Sequence, residues 1–328
     1  MSSRANIKSK LGDPAKYKVH DIDTRCSPSQ KHEIGSCIAL EVLCEMAKAY
    51  NKSFPQNAID VDDSVAIEEP VRYKKYLLNE LDNRLKQKCK TQQCWSKQRF
   101  IQNMKNVARE ELAKYTWRPE GPDTGNEWLN TDHIDKAMAQ YEKRYKDFKF
   151  LGVMPRDFQD HDVYRITHND YLDLLQAKKI RLGIIYNTDP VGKPGEHWNA
   201  LFANLKTGEI YFFDSFGVAP NSEVRAHMKQ IKEFIQNNCD QIVNMERNHN
   251  NLMTPNNDTL DSQCKKLKVA HNDKQHQYEG SECGVYSINF ITRMLRGDTF
   301  KQIVESRISD SRINKCRKAY FSAGNDVE

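Results

Sequence analysis

A chain of 328 residues is long enough for one large domain or two moderate ones, with a core of real size. It carries 50 Lys+Arg against 45 Asp+Glu, is 38% hydrophobic and 29% charged, and shows no repeat period or low-complexity tract, which excludes solenoids, coiled coils and collagen-like fibres. No stretch approaches the ~20 apolar residues of a membrane span. The first residues, MSSRANIKSKLGDPAKYK, lack the apolar segment of a secretory signal, so an unsecreted, intracellular protein is expected.

Nine cysteines stand at 26, 37, 44, 89, 94, 239, 264, 283 and 316. Their odd number, irregular spacing and intracellular setting predict reduced thiols, one of them available for chemistry, and not a disulfide framework. Cys89 and Cys94 make a poor zinc motif, having no nearby third ligand.

Residues 36–118 read as helical. Ser36 is a candidate cap for a helix through Ile38, Val42, Leu43, Met46 and Tyr50. Pro70 is suited to a first helical position ahead of the stripe Tyr73, Leu77, Leu78, Leu81 and Leu85. Phe100, Met104, Val107, Leu112 and Tyr115 form a third stripe. From Val71 to Arg118 thirteen basic residues face four acidic ones, a local excess of nine. A solvated helical face explains this most simply, and a surface for nucleic acid or an acidic partner is the sharper alternative.

The segment WRPEGPDTGNE at 117–127, rich in Pro and Gly, marks the best boundary. It divides a helical, basic N-terminal extension (1–120) from a second part (121–328). That part opens with a helix through Ile134, Met138, Tyr141 and Tyr145, followed by one over Tyr171 to Lys179. Short apolar runs at 183–186, 200–203 and 210–213 predict strands, and Asn221 to Asn238 an amphipathic helix. The fold class is α+β, with a small central mixed sheet flanked by helices. Residues 239–278 read as polar surface loop, most of all the Asn- and Asp-rich stretch Asn248 to Asp258.

Two segments carry chemistry. Strand-like runs on either side of Leu205 to Glu209 predict a hairpin whose facing residues sum to about 412. His197 and Asp214 fall almost opposite each other on that count, so the carboxylate can orient the imidazole and stabilise its protonated form. In the other segment, Val285, Ile288, Ile291 and Leu295 predict a buried helix ending near Gly297, with Cys283 at its N-terminus. There the dipole and free amides favour a thiolate, and the Cys283 amide and the Gln277 side chain can donate to an oxyanion. His276 reads as a solvated or capping residue, and Cys316 as packing.

His197-Trp198, Asp214-Ser215 and Gln277 with Cys283-Gly284, in this order and spacing, resemble the SUMO/ubiquitin-like protease and adenovirus protease superfamily. The resemblance implies its core fold and gives His197, Asp214 and Cys283 as the triad, with Gln277 in the oxyanion hole. Asn187 to Trp198, Ser281 to Gly284 and Ser306 to Asp310 are further similar to the polyprotein proteases of large cytoplasmic DNA viruses, such as that of African swine fever virus. That protease has Asn where this chain has Asp214.

The resemblance implies a cysteine endopeptidase cutting after Gly-Gly (Gly-Gly-X) in viral structural polyproteins, in host cytoplasm and virion, with no metal or organic cofactor. Trp198 is a candidate wall of the substrate channel, or a packing partner of the His ring. The alternatives are an isopeptidase acting on ubiquitin-like modifiers and a catalytically silent module binding nucleic acid through residues 71–118. An acyltransferase is disfavoured, since similar effector enzymes carry Glu as the third residue. The adenovirus enzyme, which uses DNA as an activator, shows that DNA binding and catalysis are compatible.

Overall fold

The computed structural model describes residues 3–11, 26–242 and 267–322. The chain forms two compact units, Met1–Pro119 and Glu120–Glu328.

The first unit is helical: α1 (Ser3–Lys10), α2 (Leu40–Ser53), α3 (Asp63–Glu68), α4 (Pro70–Leu85), α5 (Gln92–Ser96) and α6 (Asn106–Glu110). Pro70 does open α4, where its missing N–H is harmless. Ser36 is not a helix cap. Its hydroxyl donates to Gln92 Oε1 at 2.6 Å, and α2 starts only at Leu40. The third stripe is broken into a 3₁₀ turn (Arg99–Asn103), α6 and one π turn (Glu111–Tyr115), which leaves Val107 82% exposed.

For five cysteines the structure overturns the expectation of reduced thiols, while Cys44, Cys283 and Cys316 are free. Cys26–Cys37 and Cys89–Cys94 are disulfides, with Cα atoms 5.2 and 5.4 Å apart, inside the span a disulfide bridges. Cys239 is also disulfide-bonded. Compartment and spacing rules weigh only sequence distance, whereas the packed helices bring these sulfurs together. The Asn248 to Asp258 stretch and Cys264 lie outside the described residues.

The second unit is a mixed α+β fold. Its elements are α7 (Thr131–Arg144), β1 (Phe148–Met154), α8 (His168–Gln176), β2 (Arg181–Asn187), β3 (Trp198–Asn204), β4 (Glu209–Phe213), α9 (Ser222–Asn237), β5 (Lys268–His271) and α10 (Cys283–Arg296). Short helices α11 (Phe300–Glu305), α12 (Asp310–Lys315) and α13 (Arg317–Tyr320) follow. The five strands lie in the order β1-β2-β3-β4-β5; β2, β3 and β4 are antiparallel neighbours, and the two edge strands add in parallel. β1 and β5 are not legible as strands in the sequence, β5 because its mostly exposed KVAH sits in a polar tract.

Strand alternation divides the core in two. Ala200, Phe202, Tyr211 and Phe213 pack with α7 and α10 on one face of the sheet. Leu201, Ala203, Ile210 and Phe212 pack with α8 and α9 on the other. α10 is buried nearly all round, and a Cβ on Gly183 of β2 would come within 2.9 Å of Phe148 and 3.2 Å of Ile291. The bare glycine thus lets this helix lie close to the sheet. Gly297 ends it in the left-handed conformation, and Arg181 Nη1 donates to the Leu295 carbonyl at 3.0 Å.

Between the sheet and α9 lies His227, 1% exposed, with the Tyr171 hydroxyl 2.8 Å from Nε2 and the Tyr186 hydroxyl 2.7 Å from Nδ1. Burial lowers its pKa to about 4. The neutral ring needs one hydroxyl as acceptor and the other as donor, and a proton would leave both nitrogens donating. In the unfolded chain the ring takes up its proton near the ordinary pKa of about 6.5. Its contribution is therefore complete above pH 6.5 and lost as the pH falls toward 4, about 3 kcal/mol in all. Urea unfolding of wild type and His227→Gln across that window checks this: the advantage of wild type should shrink on acidification.

Candidate active site

His197 ends the loop between β2 and β3, and several bonds hold that loop. Thr188 N donates to the His197 carbonyl at 3.0 Å, Asp189 N to Asn187 Oδ1 at 2.8 Å, and Gly195 N to Asp189 Oδ2 at 3.2 Å. Gly195 has φ +83°, and a Cβ there would stand 2.3 Å from the Asn187 side-chain nitrogen, so only glycine fits.

The hairpin register differs from the expected one. Ala200 pairs with Phe213 and Asn204 with Glu209, a constant sum of 413, so the residue facing position 197 is Phe216. The Phe216 ring stacks on the His197 imidazole, centroids 4.6 Å apart and planes 27° from parallel. Asp214 still reaches the ring from the diagonal position two residues before Phe216, with Oδ2 3.0 Å from His197 Nε2. Its other oxygen accepts from Phe216 N at 2.7 Å. Asn272, just beyond β5, accepts from Asp214 N at 2.8 Å and donates to the Asp214 carbonyl at 2.7 Å. Neither Phe216 nor Asn272 is evident in the sequence. The corrected register identifies the first, and no sequence signal identifies the second.

Cys283 is the first residue of α10 and is buried. Its thiol and the His197 imidazole interact, and the thiol favours the protonated ring. With Nε2 engaged by Asp214, Nδ1 is the nitrogen left for the thiol. Burial opposes the imidazolium, but the hydrogen bonds to Asp214 and Cys283 and their charges outweigh it, raising the His197 pKa to about 9. Next to the thiol, Gly284 makes room: a Cβ would sit 3.1 Å from Leu129 and 3.2 Å from the Trp198 ring. Trp198 is buried, its Nε1 donating to the Leu129 carbonyl at 2.9 Å.

Gln277 is fully buried. Its Oε1 accepts from Ser215 Oγ at 2.7 Å, which defines the amide nitrogen as the other end, and that Nε2 donates to the Glu279 carbonyl at 2.6 Å. A second N–H on the same nitrogen is left. The Ser215 carbonyl accepts from both His276 N (2.7 Å) and Gln277 N (2.9 Å). His276 is not solvated: it is 3% exposed and its Nε2 lies 3.1 Å from the Val304 carbonyl. The tail secures the same loop, since Arg307 Nε donates to the His276 carbonyl at 2.7 Å and Tyr278 N to Asp310 Oδ2 at 3.1 Å.

A cleft of about 360 Å³ is lined by Trp198 together with Trp128, Val153, Tyr164, Gly192 and Pro194 among others. Trp128, 49% exposed, is a second tryptophan at this cleft that sequence reasoning missed, although it stands two residues before the capping Asn130 of α7.

Residues 128–324 match the C-terminal catalytic domain of the Ulp1 protease family. The chain belongs to that family. It is 31% identical over 306 residues to a protein of Acanthamoeba polyphaga mimivirus named a thiol protease, covering 90% of this chain and 92% of that protein. A cysteine protease of African swine fever virus (isolate Tick/Malawi/Lil 20-1/1983) is 23% identical over 219 residues, 62% of this chain and 71% of its own length. The crystal structure of an African swine fever virus protease superposes with a TM-score of 0.57 at 17% identity, covering 94% of this chain and 98% of that one, which shows a shared fold. This Ulp1-family member is a cysteine protease, and the relatives it resembles are viral.

Ring NMR of His197 should show titration near pH 9 in the full chain. In Asp214→Asn the loss of the carboxylate should move that midpoint down; an unmoved midpoint would mean the carboxylate does not govern the ring.

Proposed function

We propose that the protein is a cysteine endopeptidase that cuts after Gly-Gly in viral structural polyprotein precursors, in host cytoplasm and virion. The observation carrying this reading is His197, hydrogen-bonded to Asp214 and interacting with the thiol of Cys283. Cys283 Sγ is the nucleophile, and protonated His197 hands its proton to the leaving amine as the thioester forms. Water, deprotonated by His197, then releases the acid. Asp214 keeps the ring oriented and charged.

The first amide of α10 has no intrahelical acceptor and so is free for the oxyanion, together with the remaining N–H of Gln277. Trp198 and Trp128 form aromatic walls of a cleft whose loop carries Gly192 and Gly195, a lining suited to a backbone without side chains. The polyprotein reading is supported by resemblance to viral proteases. Activity on ubiquitin-like tails is the rival outcome, since the same four residues serve both.

The nucleic-acid reading has weaker support. Of the basic residues at 71–118, Arg72, Arg84, Lys105 and Lys114 are paired with Glu69, Glu80, Glu45 and Glu110, and Lys74 is buried. Among the described residues no helix is long and apolar enough to cross a membrane.

A Gly-Gly-X peptide series should be cut by wild type and not by Cys283→Ala, with a rate loss on the order of 10⁴-fold or more. Equal cleavage of Ala-Ala-X would defeat the glycine preference, and efficient release of a ubiquitin-like protein with no cleavage of polyprotein sites would favour the rival. Because the leaving amine needs the His197 proton, kcat/KM should fall as pH rises through about 9.

A further inference from the structure

Behind the nucleophile lies a buried charge arrangement that the proposed mechanism does not use. Glu282, immediately before Cys283, is 1% exposed. Its carboxylate accepts from Ser281 N at 2.9 Å and Ser281 Oγ at 2.8 Å. From α13, Arg317 is wholly buried and its Nη2 donates to the Ser281 carbonyl at 3.3 Å. Its Nε is bonded to Asn314 Oδ1, and its Nη1 is buried with no hydrogen-bond partner among the described residues.

A guanidinium cannot lose its proton in a protein, so this is a permanent positive charge held in the interior with one edge unused. It interacts through space with Glu282, Cys283 and Glu127. Cys283 follows Glu282 directly in the chain and interacts through space with His197, which Asp214 holds from the sheet, and with Arg317 of α13.

A buried carboxylate one residue from a nucleophilic sulfur opposes a thiolate there by like-charge repulsion, and a nearby cation reverses the effect. Glu282 cannot simply be dispensed with, because it satisfies two donors of Ser281 in the turn that leads into α10. We propose that Arg317 is a positioning residue for the cleavage reaction: it neutralises buried Glu282 and anchors the Ser281 carbonyl, so that Cys283 can exist as a thiolate beside His197. The proposal rests on Cys283 being the nucleophile, yet its test does not require peptide cleavage.

The experiment is the pH dependence of iodoacetamide alkylation of the full-length protein, read at the Cys283 peptide by mass spectrometry so that Cys44 and Cys316 do not interfere. Arg317→Met should shift the alkylation midpoint upward by about one pH unit, a tenfold change in the thiolate equilibrium. Glu282→Gln alone should shift it downward, and Arg317→Met with Glu282→Gln should return it toward wild type. Arg317→Lys should fall between wild type and Arg317→Met. A midpoint unmoved in Arg317→Met, alongside a lowered Tm, would reduce Arg317 to a structural strut and overturn the proposal. A double variant no different from Arg317→Met would overturn the charge balance. Should Arg317→Met fail to fold, Glu282→Gln and Arg317→Lys decide the matter: no shift in either refutes the idea. Failure of the protease reading would be seen separately, as shifted midpoints in a protein that cuts no Gly-Gly peptide.

Discussion

The seating of α10 on the sheet governs the whole second unit. The imidazole belongs to a β-hairpin and the thiol to a helix that begins 86 positions later in the chain, so nothing local makes them meet. Their encounter depends on how near the helix can come to β2 and β3. Gly183 and Gly284 remove the two side chains that would hold it off, one against Phe148 and Ile291, the other against Leu129 and Trp198. Filling either contact would displace close-packed neighbours, which interiors of this density tolerate poorly. At an active site, where small misplacements matter, such a shift would be felt as lost chemistry before it was felt as lost stability.

The polar arrangement is built on that frame in layers. Asp214 touches the ring; Asn272 and the Phe216 amide fasten Asp214; the loop bearing Asn272 is fastened by β5 pairing in parallel to β4. Phe216 covers one ring face, so the His197–Asp214 bond sits in a setting with little water, where a charged hydrogen bond is strongest. The tail segment 306–310 joins the same system through Arg307 and Asp310, which gives a stretch beyond α10 a physical tie to the loop of His276 and Tyr278.

Much of this was legible in sequence, and what escaped has identifiable reasons. The order and spacing of His197, Asp214, Gln277 and Cys283 pointed to one chemistry, and strong periodicity located α7, α9, α10 and the three antiparallel strands. The hairpin turn was misplaced by about half a residue, enough to hide the Phe216 stack behind an approximate facing of His197 and Asp214. β5 was hidden because an edge strand with exposed side chains has no apolar pattern to read. Arg317 was invisible for another reason: burial of an arginine is decided by tertiary neighbours, and composition rules place it outside. The disulfides failed for the same kind of cause, since cysteine statistics carry no distances.

The carbonyl of Ser215 receives two amides from the loop of His276 and Gln277, while the Ser215 hydroxyl holds the Gln277 side chain. One residue, adjacent to Asp214, therefore couples the carboxylate bonded to His197 to the side-chain amide of Gln277. The two arms cannot drift independently: a disturbance that tilts one carries the other with it. In energetic terms the site is a single cooperative body whose parts do not contribute separately, so injuries to its two sides would overlap and not add.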